Sequence, residues 1–247
     1  MKAMVLAAGL GTRLRPLTDD RPKALVTVAG RTLLDLTLAR LRSFGVRETI
    51  VNVHHFADQI VEYLAANKNF GMRIEISREE VLLDTGGGLK QAAWFFLEEP
   101  EEPFLVHNVD VLSAIDLGRM VEFHREQKAL ATLAVQERAS SRQLLFDAQG
   151  QLCGRRAGSN LAAEIVRSAP QFQPLAFAGI HVLSPRIFQK LTEEGVFPIV
   201  PAYLRLAAGG ESIRAFRADG VYWRDLGRPE HLLEAAEDIG QGRFPLA

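Results

Sequence analysis

Apolar and polar positions alternate along the chain with two periods, one typical of strands and one typical of helices. MKAMVLAA is a short apolar run ending at a glycine turn, and TLLDLTLARLRSFG has apolar residues at helical spacing and ends at Gly45. ETIVNV then predicts a strand, HHFADQIVEYLAA a helix and MRIEIS a half-buried strand. This rhythm is typical of βαβ units, so we expect an α/β fold with a mainly parallel sheet and helices on both faces.

The second half of the chain continues the alternation with one interruption. A glycine cluster, DTGGG, precedes the predicted helix LKQAAWFFL, and FLVHNVDV, MVEFHREQ and LATLAVQE predict strand, helix and strand. Residues 140–174 have short apolar runs that polar residues interrupt. This pattern favours a hairpin or an excursion of the chain away from the regular alternation. FAGIHVL predicts a strand, RIFQKL and FPIVPAYLRLA helices, IRAFRA a strand, and PEHLLEAAEDI a final helix with proline in its first turn. Without repeats or a linker, we expect one domain over residues 1–247 and no β-helix tail.

Composition excludes several classes of protein. Of 247 residues, 47% are hydrophobic, and 29 basic side chains against 30 acidic ones give a net charge of −1, so nothing favours nucleic acid or an anionic membrane as partner. Cys153 is the single cysteine, and no leader pattern or apolar run of roughly 20 residues is present. We therefore expect a soluble cytoplasmic protein, as a monomer or a small homo-oligomer.

The segment LAAGLGTRLRPLTDDRPKAL, residues 6–25, combines glycines, which have no side chain, with basic arginine and lysine residues. A glycine loop between a strand and a helix presents N–H groups to an anion, and Gly9 and Gly11 carry no Cβ to hold a phosphate away, although both would also suit a simple tight turn. Arg13 can bracket two phosphate oxygens, while Lys23 supplies a point charge. The combination favours a triphosphate over a single carboxylate.

Two familiar phosphate loops do not match this segment. A dinucleotide-binding G-x-G-x-x-G has a third glycine where this chain has Leu14, and the second strand ends without the acidic residue that would bind a ribose. The Walker A pattern is absent as well. An NAD-dependent oxidoreductase is therefore disfavoured.

The pattern L-A-A-G-x-G-T-R-x-x-P-x-T, followed by P-K-x-L and by V-A-G-R-T-L at residues 28–33, resembles the signature of sugar-1-phosphate nucleotidylyltransferases. The likeness is strongest to the short, single-domain bacterial type, such as the uridylyltransferases of N-acetylmuramate 1-phosphate and the guanylyltransferases of mannose 1-phosphate. It implies a Rossmann-like fold of the GT-A type and transfer of a nucleoside monophosphate from an NTP to a sugar 1-phosphate. Arg13 and Lys23 would then be catalytic.

Two aspartates are candidates for binding a divalent cation. Asp110 ends the strand FLVHNVD, and Asp225 lies in YWRDLGRPE, although a helix cap or an ion pair would also explain each of them alone. The resemblance implies that both ligate Mg²⁺, or Mn²⁺ in its place, because they match the family's metal-binding positions. Val109 stands where the family usually has glycine, which predicts a narrower space for the sugar phosphate.

The same resemblance implies the remaining contacts. We expect the sugar to contact the backbone of Gly179, and the nucleotide to contact Leu6, Ala8, Gly9, Gly11, Thr12, Gly86, Gly87 and Asn108. The Glu-Lys-Pro motif of larger relatives is missing in the region of RRAGSNLAAEIV, so either one of Arg155, Arg156 and Arg167 replaces its lysine or the pocket differs.

Two other functions remain open at this stage. A phosphocholine cytidylyltransferase would use the same loop, and a catalytically silent nucleotide-binding regulatory protein could share the fold. Joint retention of Arg13, Lys23, Asp110 and Asp225 argues against silence. The nucleobase and the sugar are not determined by the sequence pattern.

Overall fold

The computed structural model describes residues 1–157 and 163–244. Strands in these ranges are β1 Lys2–Leu6, β2 Thr27–Val28, β3 Arg31–Thr32, β4 Glu48–Val53, β5 Arg73–Arg78, β6 Phe104–Asn108, β7 Val111–Ser113, β8 Ala131–Gln136, β9 Arg142–Phe146, β10 Leu152–Ala157, β11 Ala163–Ile165, β12 Gln173–Leu183, β13 Ile213–Arg217 and β14 Trp223–Asp225. Helices are α1 Leu33–Ser43, α2 Ala57–Ala66, α3 Asp84–Gln91, α4 Ala93–Phe96, α5 Leu117–Glu126, α6 Ile199–Ala208 and α7 Pro229–Gly240.

The predicted α/β fold is confirmed. Strands β5, β4, β1 and β6 lie side by side and run parallel, as the βαβ rhythm requires. The sheet continues through β12, which is antiparallel to β6 and pairs with both β8 and β9. The interrupted stretch 140–174 forms the antiparallel strands β9, β10 and β11, as predicted for an excursion. Within it, residues 158–162 lie outside the described ranges.

Two hydrophobic cores lie on opposite faces of the sheet, because alternate residues of a strand point to opposite sides. Ala3 and Val5 of β1 belong to one core, which also contains apolar residues of α1, α2, α5 and α7. Met4, between them, belongs to the other core, with apolar residues of α3, α4 and α6. The sheet is therefore covered by helices on both faces, as predicted.

Two local predictions differ from the structure. The helix predicted over RIFQKL is a short 3-10 helix that starts one residue earlier, Pro185–Gln189. The glycine cluster does not precede its helix, since α3 begins at Asp84 and includes the three glycines. A helix that contains three glycines is disfavoured by propensity alone, so tertiary contacts must stabilise it.

Two histidines on the neighbouring strands β6 and β12 are buried on opposite faces of the sheet, with His181 on the side of α6. His181 of β12 is 2% exposed, and its Nδ1 lies 2.6 Å from the Tyr203 hydroxyl oxygen. Burial lowers the pKa of His181 to about 3, and lowers the pKa of His107 on β6 to about 4. Both side chains are therefore neutral in the folded protein near pH 7 and bind protons readily only after unfolding.

We predict that the free energy of unfolding falls as the pH drops below 6.5. The folded pKa of His181 lies below its unfolded value, so its stabilising contribution is complete above the unfolded pKa and is lost as the pH falls toward the folded one. The loss is roughly 2 kcal/mol at pH 5 for this residue. Urea unfolding between pH 8 and 5 should show a shallower pH slope for His181→Gln than for the wild type, and equal slopes would contradict the prediction.

None of the helices in the described ranges is long and apolar enough to cross a membrane.

Candidate active site

A cleft of about 390 Å³ opens at the carboxyl ends of the parallel strands. Open α/β sheets bind ligands at this edge, because the loops that follow the strands leave a crevice between them. The lining residues come from the ends of β1, β4 and β6, from the segments that follow β1, β5 and β6, from the start of α3 and from the segment before α6. They are Leu6, Ala7, Ala8, Gly9, Lys23, Asn52, Glu79, Leu82, Asp84, Thr85, Asn108, Val109, Asp110 and Val196.

The two loop glycines differ in what surrounds the position that a Cβ would occupy. Gly11 has a φ of +67°, and a Cβ there would lie 2.9 Å from Thr18 Cγ2 and 3.1 Å from Lys23 Cβ. Its bare backbone thus lets the Lys23 side chain pack against the loop. A Cβ on Gly9, which lines the cleft, would meet nothing within 4 Å. Within residues 1–157 and 163–244, no packing contact requires glycine at position 9, and the space beside it is open to a ligand.

Residues after the loop form a 3-10 helix, Thr12–Leu14. Leu14 is fully buried in the core, which explains why the third glycine of a dinucleotide loop is absent. Thr12 and Arg13 are exposed on the outer side of the same turn. The buried leucine therefore fixes the turn from which Arg13 projects.

Lys23 and Asp110 form an ion pair inside the cleft, although 87 positions separate them in the sequence. Lys23 lies in a 3-10 helix, Lys23–Leu25, that begins after Pro22, and its side chain is only 10% exposed. Asp110 follows β6, and its side chain is 18% exposed. The positive charge of the Lys23 ammonium group therefore neutralises the negative charge of the Asp110 carboxylate in a largely buried position.

Asp225 lies on the segment that runs beside Asp110. β14 pairs with β7, with Asp225 opposite Val111, and the Leu226 N–H donates to the Asp110 carbonyl at 2.7 Å. The Gly227 N–H donates to Asp225 Oδ1 at 2.6 Å. Two aspartates that are 115 positions apart in the sequence thus occupy adjacent backbone positions.

Arg13 packs on the same segment. A Cβ on Gly227 would lie 2.6 Å from Asp225 Oδ1 and 2.8 Å from Arg13 Nη2. The carboxylate and the guanidinium therefore share the space above one glycine. This arrangement brings together the arginine of the N-terminal loop and the second aspartate.

The donor set suits a hard cation. Mg²⁺ uses oxygen ligands and usually takes one or two carboxylates, with water and phosphate oxygens in the remaining positions. Asp110 and Asp225 supply two carboxylates on paired backbone segments. Two carboxylates are the protein donor set that such a cation uses when a bound polyphosphate supplies further oxygens.

The structure places Gly86 and Gly87 away from the cleft lining. Both N–H groups donate to the Phe197 carbonyl, at 2.9 and 3.1 Å. A Cβ on Gly86 would lie 2.3 Å from the Phe197 ring, and one on Gly87 would lie 2.4 Å from the Gly195 carbonyl oxygen. These glycines allow the 195–198 segment to pack on α3, and the cleft is lined instead by Asp84 and Thr85, just before them. Their predicted base contact would require this packing to open.

Gly179 lies at an irregularity of β12, where the pairing register with β8 shifts between Phe177 and His181. Its φ is +74°, and a Cβ would lie 2.8 Å from Asn108 Nδ2. Asn108 lines the cleft, so Gly179 lies directly behind it. Val109 is 4% exposed and packs in the core, and it also lines the cleft.

Two of the three arginines considered as substitutes for the missing lysine have other partners. Arg155 of β10 pairs with Glu164 of β11 at 2.6 Å, and Arg167 donates to the Ala207 carbonyl at 3.1 Å. Arg156, on β10, is half-buried. The residues that line the cleft within the described ranges do not include any of the three.

Several site residues escaped the sequence reasoning. Asn52 and Glu79 line the cleft and are 3% and 5% exposed. Asn52 is a polar residue inside the apolar run IVNV of β4, a signal that could have identified it. Arg138 stacks on Trp223, with its guanidinium carbon 3.7 Å from the ring centroid, and burial lowers its pKa while the charge of Asp225 opposes that shift.

The cleft lies at the carboxyl ends of parallel strands, beside Gly9 and the Lys23–Asp110 ion pair. A crevice in this position is typical of α/β enzymes that bind nucleotides. The sequence profile of the Nucleotidyl transferase family matches residues 2–144, and the chain belongs to this family. The protein is accordingly a nucleotidyltransferase.

Curated relatives agree with this membership. The chain is 39% identical to the N-acetylmuramate alpha-1-phosphate uridylyltransferase of Caulobacter vibrioides, over 97% of both chains. It is 29% identical to the mannose-1-phosphate guanylyltransferase of Mycobacterium tuberculosis, over 98% of this chain and 66% of that protein. Among solved structures, UDP-glucose pyrophosphorylase from Acinetobacter baumanii superposes with a TM-score of 0.80 at 22% identity, over 99% of this chain and 95% of the other, which shows the shared fold.

Proposed function

We propose that the chain transfers a uridylyl group from UTP to a sugar 1-phosphate, with N-acetylmuramate 1-phosphate as the preferred acceptor, and releases pyrophosphate. The observation that carries the proposal is the convergence of Lys23, Asp110 and the Leu6–Gly9 backbone in one cleft. The choice of base and sugar rests on the Caulobacter relative, whose similarity extends over nearly the whole chain.

The proposed reaction needs no general base. A phosphate monoester has a second pKa near 6, so the oxygen of the sugar phosphate is already ionised at neutral pH. That oxygen forms a bond to the α-phosphorus, while the bond from the α-phosphorus to the bridging oxygen breaks and its electron pair leaves with pyrophosphate. Catalysis then consists of positioning two polyanions and neutralising charge.

Each charged residue has a defined role in this proposal. Lys23 stabilises the negative charge on the α-phosphate in the transition state, and Arg13 stabilises the departing pyrophosphate. Asp110 and Asp225 would bind Mg²⁺, or Mn²⁺ in its place, and a bound cation supplies charge neutralisation on the phosphate oxygens. The open space beside Gly9 lets the Leu6–Gly9 backbone approach the nucleotide. Thr12, Gly11, Asn108 and Gly179 would complete the nucleotide and sugar subsites.

A substrate panel tests this proposal. Pyrophosphate release would be measured with UTP, GTP, CTP and dTTP against the 1-phosphates of N-acetylmuramate, mannose and glucose, and against phosphocholine. We expect kcat/KM for UTP with N-acetylmuramate 1-phosphate to exceed every other combination by about 10-fold or more, since a single polar contact discriminates by roughly that factor. Preference for GTP with mannose 1-phosphate or for CTP with phosphocholine would overturn the assignment, and no release with any pair would favour a silent regulatory protein.

A further inference from the structure

A buried polar pair, Asn52 and Glu79, is hydrogen-bonded to the start of the glycine loop. The Ala7 N–H donates to Asn52 Oδ1 at 2.7 Å, and Asn52 Nδ2 donates to Glu79 Oε1 at 2.6 Å. The other carboxylate oxygen, Glu79 Oε2, accepts the Leu83 N–H at 2.9 Å. The chain of hydrogen bonds thus connects the ends of β1, β4 and β5 to the start of α3.

We propose that Asn52 is a positioning residue for nucleotide transfer, which fixes the Ala7 amide and so the path of the Leu6–Gly9 backbone, with Glu79 setting the orientation of the Asn52 amide. The inference rests on the proposed function, because that function places the nucleotide on this backbone. Asn52 acts through Ala7 and needs no contact with the substrate itself.

The orientation of the Asn52 side chain follows from its two neighbours. Its amide group has an acceptor end and a donor end, and only one of its two orientations satisfies both the Ala7 N–H and the Glu79 carboxylate. The reversed orientation would place N–H groups against N–H groups and oxygen against oxygen in a site from which water is almost excluded. Glu79 therefore determines which atom of Asn52 faces the loop.

The Leu6–Ala7 peptide is held from both sides. The Val109 N–H donates to the Leu6 carbonyl at 3.1 Å from the β6 side, and Asn52 accepts from Ala7 on the β4 side. Beyond this peptide, Gly9 is exposed, and no atom lies near the position that its Cβ would occupy. The anchored peptide is thus the last firmly held part of the loop before the open glycine.

Gly88 provides the room for this pair. A Cβ on Gly88 would lie 2.5 Å from Glu79 Oε1 and 2.7 Å from Asn52 Nδ2, at the hydrogen bond between them. This contact explains the third glycine of the DTGGG cluster, which neither a cap nor a base contact accounts for. A methyl group at position 88 would push the two side chains apart.

A charge-swap cycle tests the proposal. Asn52→Asp alone places two carboxylates at hydrogen-bond distance, and Glu79→Gln alone sets an amide nitrogen against either Asn52 Nδ2 or the Leu83 N–H. The double variant Asn52→Asp/Glu79→Gln restores every bond, because the carboxylate introduced at position 52 accepts from Ala7 and from the amide introduced at position 79, whose oxygen accepts from Leu83. We expect KM for UTP to rise about 10-fold in Asn52→Asp and to return within about 3-fold of wild type in the double variant, with KM for the sugar phosphate unchanged.

A second readout does not depend on activity. Hydrogen exchange of the Ala7 amide, followed by NMR, should accelerate in Asn52→Asp and slow again in the double variant. Gly88→Ala should accelerate it too, whereas the matched control Gly240→Ala should not, because a Cβ on Gly240 meets nothing within 4 Å. Thermal unfolding of each variant separates loss of the anchor from loss of the fold.

Two results would overturn the inference: an Ala7 amide that exchanges at the wild-type rate in Asn52→Asp, or a double variant no better than the single ones in both KM and exchange. If the wild type transfers no nucleotide, the proposed function fails, and the exchange data still decide whether Asn52 anchors the loop.

Discussion

Replacing Lys23 by alanine should lower kcat by about 100-fold or more, because removing a charged group that stabilises the transition state costs on that order. Lys23 is largely buried, lies in the cleft and pairs with Asp110, and Gly11 brings its stem against the loop. The measurement is pyrophosphate release at saturating UTP and sugar phosphate. A Lys23→Ala variant with wild-type turnover would refute the catalytic role.

A matched variant separates charge from packing. Lys23→Met keeps most of the side-chain volume and removes the ammonium group, so we expect nearly the same loss of turnover as in Lys23→Ala. Binding of Mn²⁺ in the absence of nucleotide, measured by EPR, provides a second readout. It should tighten in Lys23→Met, because the ammonium no longer competes with the cation for the Asp110 carboxylate.

Replacing Gly227 by alanine should lower kcat/KM by about 100-fold, although position 227 carries no charge in either protein. The added Cβ would lie 2.6 Å from Asp225 Oδ1 and 2.8 Å from Arg13 Nη2, so both groups must move. Displacing charged groups by about 1 Å at a reacting centre costs roughly this factor. Pyrophosphate release and the stability of the fold would be measured on the same preparation.

Two controls make the Gly227 experiment decisive. Gly240→Ala introduces the same methyl group in α7 without a close neighbour and should leave activity unchanged. Asp225→Asn keeps the shape of the side chain and removes its charge, and we expect it to lose at least as much activity as Gly227→Ala. Full activity in Gly227→Ala would show that Arg13 and Asp225 do not need their observed placement.

The sequence pattern predicted the frame of the protein because the signals that carry it are local. Strand and helix periods identified β1, α1, β4, α2 and β5, and the order of these elements is sufficient to predict a parallel sheet. The loop motif was equally local, and it identified Lys23 before any contact was known. The helix predicted over RIFQKL is a 3-10 helix, Pro185–Gln189, and the sequence did not specify this type because so short a segment carries too little periodicity to distinguish it from an α-helix.

The candidate site was predictable in part. Asp110 could be placed at a strand end from the pattern alone, and the structure brings it beside Asp225 through the pairing of β7 with β14. That pairing joins two short strands that no periodicity indicates. The pairing of Lys23 with Asp110 was equally hidden, because no sequence pattern reports which opposite charges meet across 87 positions.

By itself, the sequence determined the α/β succession, the basic glycine loop and the residue types available for phosphate and metal chemistry. Only the tertiary structure decided what each glycine is for. Gly9 opens toward the cleft, Gly11 admits Lys23, Gly86 and Gly87 admit the Phe197 segment, and Gly88 admits the Asn52–Glu79 pair. The physical reason is that the role of a glycine depends on what lies where its Cβ would be. That space is either open or filled by atoms that the fold brings in from other parts of the chain.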